Sequence, residues 1–156
     1  MDFDTTRAVY PTRPDKSHIN YVVADTESWE QKLAQAVEGM DEVLCYARND
    51  HLGFTISYTF NGEEHNYTPD FLVRIKDARI KDARVDDAGG PTDPLNLILE
   101  VSGQKRSEKA AKAATARNLW VPAINNHGGF GRWAYLEITD PWNAQNAIRA
   151  ALSSTV

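Results

Sequence analysis

An α/β fold, with a central mixed sheet flanked by helices, is predicted by three features of this sequence. The stretch "LNLILEV" (95–101) is apolar throughout, as a strand covered on both faces requires. Two segments, "DTESWEQKLAQAVEGM" (25–40) and "SEKAAKAATARNLW" (107–120), carry helical signals, one apolar spacing and the other alanine richness. "FTISYTF" (54–60) alternates apolar and polar residues and runs into Asn61-Gly62, the pair that tight hairpins favour. The order of strand, helix, several strands, helix, strands, helix suits a sheet with helices packed on it.

Each element has a local cause. Residues 1–18 hold Pro11, Pro14 and many polar groups and read as an extended arm. "INYVVA" (19–24) is a short strand. The first helix has Asp25, Thr26 and Ser28 as candidate caps, Trp29, Leu33, Ala36 and Val37 at helical spacing, and Gly39 as a stop. "EVLCYARN" (42–49) is a strand. After the hairpin turn, "EEHNYTPDFLVRI" returns as a strand, with a bend or bulge at Pro69 because proline has no N–H to give a ladder. In 76–94 the pentapeptide "IKDAR" (75–79) repeats at once (80–84), and "VDDAGGPTDP" follows, so this piece is a loop or insertion. In the second long helix Ser107 caps and Glu108 pairs with Lys112 one turn on. "VPAI" (121–124) and "AYLEI" (134–138) are expected as strands around the turn "NNHGGFG", and "NAQNAIRAAL" (143–152) as a closing helix.

Composition narrows the function. The 156 residues make one domain, 42% hydrophobic and 25% charged. No apolar run approaches the roughly 20 residues that span a bilayer. "MDFDTTRAVY" has neither the basic start nor the apolar core of a signal peptide, and Cys45 is the only cysteine. The expected location is the cytoplasm. Net charge is −5, yet it is unevenly spread: residues 1–99 carry 18 acidic and 10 basic side chains, whereas 100–135 carry six basic and two acidic ones. The basic segment fits either a solvated helix face or a phosphate contact.

The candidate chemistry lies at two acids. Asp70 follows Pro69 at the bend of one strand, and Glu100 lies near the end of the next. If the strands pair, both carboxylates can converge on one divalent ion, with the Val101 carbonyl as a further oxygen ligand. Strand alternation puts Ser102 on the Glu100 face. His65 and His127 share no ligand spacing, and "GGFG" lacks the context of a dinucleotide loop. Trp120 and Trp133 suit either packing or stacking on bases.

"YTPDFLVRI", then "LNLILEVSGQK", then an alanine-rich basic helix resemble the PD-(D/E)XK nuclease superfamily, with its restriction-endonuclease-like fold. "RPDKSHINYVVADTESWEQKLAQA" and "ATARNLWVPAINNHGGFGRWAYLEI" extend the likeness over about residues 7–150, to the C-terminal nuclease region of the helicase-nuclease subunit of type III restriction enzymes. No G-x-x-x-x-G-K-[ST] loop of a motor occurs. The resemblance implies a DNA endonuclease using Mg²⁺, with Mn²⁺ able to substitute. Asp70 and Glu100 are the implied metal ligands, and a helicase motor and a modification methyltransferase subunit are the implied partners. Glu30 matches the superfamily's first-helix glutamate, or is an exposed helix residue. The pattern departs at the lysine, since Glu-x-Lys is here Glu100-Val101-Ser102. Lys105 is the first replacement, reached across Gly103; Lys109 is next, then Lys112. With Gln104 and Arg106 these lysines would touch DNA phosphates. The alternative implied by Ser102 is a degenerate nuclease fold that binds DNA or a partner protein without cutting.

Overall fold

The computed structural model describes residues 4–23, 29–76, 94–102 and 107–154. Its architecture is mixed α/β, a central mixed sheet with helices. Strands β1 (Val9–Pro11) and β2 (Tyr21–Val23) pair antiparallel, so part of the predicted arm is a strand. Helix α1 (Trp29–Glu38) follows, then β3 (Val43–Arg48). The hairpin is β4 (Ile56–Phe60) and β5 (Glu63–Tyr67), joined by Asn61 and Gly62 at φ 52° and 82°. Two left-handed residues in succession give the turn whose twist matches its strands. The expected return strand is cut at Pro69, and β6 (Phe71–Ile75) begins beyond it. The predicted caps of α1, the repeat "IKDAR" from residue 77 onward, and Gln104, Lys105 and Arg106 lie outside the described residues.

The four-stranded sheet has the order β3-β6-β7-β8, where β7 is Leu95–Val101 and β8 is Arg132–Ile138. The first two pairings are antiparallel and the last is parallel. A parallel return needs a crossover. It is supplied by α2 (Ser107–Thr115), a π-helical turn (Ala116–Trp120) and α3 (Val121–His127). Helix α4 (Ala144–Ser154) comes last.

The two faces of the sheet bury separate cores. On one, Phe71, Val73, Leu97, Leu99 and Ile138 pack with Leu33, Ala34 and Val37 of α1 and Ile148 of α4. On the other, Ile98, Leu72 and Tyr135 meet Ile56, Tyr58 and Tyr67 of the hairpin and Ala116 of the crossover. Central β7 is thus covered on both sides, as its unbroken apolar run predicts.

"VPAI" is helical, which corrects the strand expectation. Val and Ile favour strands and a proline breaks helices, so local propensity pointed away from this outcome. The π turn absorbs the proline: the Val121 N–H bonds to the Ala116 carbonyl, five residues back, just ahead of Pro122. The helix stops at Gly128, φ 73°, whose N–H reaches the Ile124 carbonyl at 3.4 Å. The Asn125 side chain then holds α3 on β8, accepting from the Trp133 N–H at 2.8 Å and donating to its carbonyl at 2.9 Å.

A candidate carboxylate site at the Pro69 bend

The register of β6 on β7 pairs Phe71 with Leu99 and Val73 with Leu97. Continuing it sets Asp70 opposite Glu100 and Pro69 opposite Val101. Asp70 and Glu100 therefore emerge on one face, the face of Leu72 and Ile98. Proline has no N–H to return to the Val101 carbonyl, and the ladder ends there. The Val101 N–H donates to Asp70 Oδ2 at 2.8 Å in place of a ladder carbonyl. The Asp70 N–H approaches Glu100 Oε2 at 3.4 Å.

The bend is held from behind by buried Asn49. Its Nδ2 donates to the Pro69 carbonyl at 2.9 Å and the Phe54 carbonyl at 2.7 Å, and its backbone N–H donates to the Asp70 carbonyl at 2.8 Å. Buried Arg48, at the end of β3, places Nη1 3.4 Å from Asp70 Oδ1 with its guanidinium over the Phe71 ring. Neither Arg48 nor Asn49 carried a signal in the sequence, because β3 reaches Asp70 only through sheet pairing. Arg48 also lines a cavity of about 860 Å³ that includes Arg7, His18, Tyr21 and Asp50.

Two neighbouring half-buried acids resist ionisation. Burial is the main cause for Glu100, whose carboxyl is pushed up to about 8; the charge of Asp70 adds to it, while Lys109 and Lys112 oppose it. Burial raises the Asp70 carboxyl also, against the Val101 N–H, Arg48 and Lys109, and Glu30 raises it further. Burial, then the charges of Glu100 and Asp70, push the Tyr67 hydroxyl well up. Burial, followed by Glu100, does the same to Tyr135.

Of the residues expected at the site, Asp70, Glu100 and Val101 come together, and Lys109 and Lys112 of α2 stand where their charges reach the pair. Lys112 pairs with Glu108 at 3.0 Å, as its helical spacing predicts, and lies over the rings of Tyr58 and Tyr67. Glu30 of α1 stands where its charge acts on Asp70, and among the described residues no three His, Cys, Asp or Glu side chains gather into a metal-holding group. Ser102 is buried, 5% exposed, with its N–H on the Ile138 carbonyl at 3.0 Å.

Two carboxylates beside a backbone carbonyl are the oxygen donors a hard divalent ion prefers, so in chemistry the donor set fits Mg²⁺ or Mn²⁺. His65 and His127 lie in different places, one against Tyr58 and the other against Phe130. Trp120 and Trp133 meet edge to face at 5.2 Å, and Phe54 stacks on Trp133 at 5.6 Å, so both indoles pack in the second core. Among the described residues no helix is long and apolar enough to cross a membrane. No protein-family model, curated protein or solved structure matches the chain.

Proposed function

We propose that this chain is a metal-dependent DNA endonuclease domain with a restriction-endonuclease-like fold, serving a restriction or anti-phage system. The observation that carries the reading is the meeting of Asp70 and Glu100 at the proline-terminated end of β6, beside the Val101 backbone. Asp70, Glu100 and the Val101 carbonyl would hold Mg²⁺, or Mn²⁺ in its place. The ion supplies a water of lowered pKa and neutralises charge on the phosphate.

The protein's own groups do the rest. Arg48 offsets the Asp70 charge and fixes its carboxylate against the Val101 N–H. Lys109 is the described cation that acts on both carboxylates, and it takes the part of the pattern's missing lysine together with, or in place of, Lys105. Gln104, Arg106 and Lys112 hold the DNA backbone without reading its sequence. A helicase motor and a methyltransferase subunit are the partners this reading entails, and cytoplasmic location follows from it.

The buried Ser102, in the place of the pattern's lysine, favours a second reading, a nuclease fold that binds DNA or a partner without cutting. One assay separates the two. Wild-type protein with Mg²⁺ should nick supercoiled plasmid, EDTA should stop it, and Asp70→Asn or Glu100→Gln should each slow it by about 100-fold or more. Salt-sensitive DNA binding without nicking supports the second reading. Neither nicking nor binding sinks both.

A further inference from the structure

The cavity of about 860 Å³ that adjoins Arg48 has no part in holding the acids. Its size falls within the roughly 300–1,000 Å³ of ligand clefts. Arg48 ties it to the acid pair by contact: the same side chain lines the cavity and sets Nη1 3.4 Å from Asp70 Oδ1. A group bound in the cavity is therefore one guanidinium away from Asp70.

One wall is the outward face of the first strand pair. Val9 pairs with Val23 and Pro11 with Tyr21, so these four share a face. Tyr10 and Val22 alternate to the other side and pack in the first core. Tyr21 is left 52% exposed, within reach of a ligand from solvent. Of the seven large apolar side chains that stand exposed among the described residues, Val9, Tyr21 and Leu52 all line this cavity. Exposed apolar surface gathered in one place marks a binding site, and an exposed ring on a strand gives a planar group a face to stack on.

Charge narrows the ligand. The walls carry Asp4 and Asp50 as well as Arg7 and Arg48. Balanced in this way, they attract a lone phosphate weakly. They do present acceptors and donors together, which is what a nucleobase edge needs, because it carries both. A base in a duplex is stacked and spends that edge on its partner, so a base that enters a cavity is an unpaired one.

We propose that the cavity binds an unpaired nucleobase, stacked on Tyr21, from the DNA strand whose phosphodiester lies at the Asp70–Glu100 pair. The inference rests on the nuclease reading and deepens it, since the preferred substrate is DNA with an unpaired base beside the cut. The base anchors the strand; the reacting phosphate stays with the acids.

Two strands of equal charge test this, a four-residue thymidine oligonucleotide and the same phosphate chain built on abasic sugars. With Ca²⁺ in place of Mg²⁺, wild type should bind the thymidine strand about 10-fold more tightly. Tyr21→Ala should bind the two alike, and Tyr21→Phe, which keeps the ring, should keep the preference. Tyr21→Ala should melt within a few degrees of wild type, because half of the side chain is in solvent. With Mg²⁺, wild type should cut a forked duplex about 10-fold faster than a fully paired one, and Tyr21→Ala should lose that ratio. If wild type cuts but binds both strands alike, or cuts both duplexes alike, or if the preference survives in Tyr21→Ala, the inference is overturned and the nuclease reading stands. A Tyr21-dependent preference in a protein that cuts neither duplex keeps the base site and overturns the nuclease reading. No preference and no cutting overturn both.

Discussion

Asp70 and Glu100 face each other one step beyond Phe71 and Leu99, the last rung of the β6–β7 ladder, and the Asp70 N–H lies 3.4 Å from Glu100 Oε2. The same Asp70 accepts the Val101 N–H at 2.8 Å, so the two acids and one backbone segment are tied into a single unit. Most of the chain's testable behaviour follows from that unit.

The first expectation concerns pH. The Glu100 carboxyl is raised in the fold from an ordinary 4.5 to about 8. Between those values the folded chain keeps a proton that the unfolded chain has released. The contribution of Glu100 to stability is therefore greatest below the lower value, falls as pH rises, and levels off above about 8. Urea unfolding of the metal-free protein should give a lower midpoint at about pH 9 than at about pH 6, and Glu100→Gln should flatten the difference. A wild-type midpoint unchanged across this range would contradict the assignment.

A divalent ion replaces the proton that the pair retains, so metal affinity should rise with pH up to about 8. At a metal concentration of about 100 times Kd the fold should gain about 2.7 kcal/mol. Thermal melts in Mn²⁺ would detect this as a rise in Tm that Asp70→Asn and Glu100→Gln both lose. An equal rise in all three proteins would place the ion elsewhere.

The lysines divide by geometry. Lys109 acts on both carboxylates, whereas Lys112 is engaged with Glu108 and two tyrosine rings. Lys109→Ala should slow single-turnover cleavage by about 10- to 100-fold, and Lys112→Ala by less. Lys105→Ala belongs in the same assay, and unchanged cleavage there would remove Lys105 from the site.

Away from the site, Glu38 fastens the first strand pair to α1. Buried Glu38 accepts from Tyr10 Oη, Tyr46 Oη and the Arg13 N–H at 2.7, 2.7 and 2.8 Å. Glu38→Ala strands three donors and should cost about 3 kcal/mol, while Glu38→Gln, which keeps an acceptor, should cost less. Equilibrium unfolding of the two variants gives the comparison, and equal losses would show that packing rather than hydrogen bonding is at stake.

The sequence by itself determined the strand "LNLILEV", the Asn61-Gly62 hairpin, helix α1 and the break at Pro69, because periodicity, turn chemistry and the absent proline N–H act locally. It also singled out Asp70 and Glu100, whose pattern spans strand ends. The helical state of "VPAI" was hidden, since a π turn and the Asn125 clamp on β8 override the preferences of Val, Ile and Pro. Arg48 and Asn49 were hidden for a related reason. They meet Asp70 through the pairing of β3 with β6, which joins residues that the chain keeps apart. Local physics thus chose the elements and the two acids, and only the tertiary structure decided their neighbours, because a side chain's surroundings depend on which faces the sheet buries.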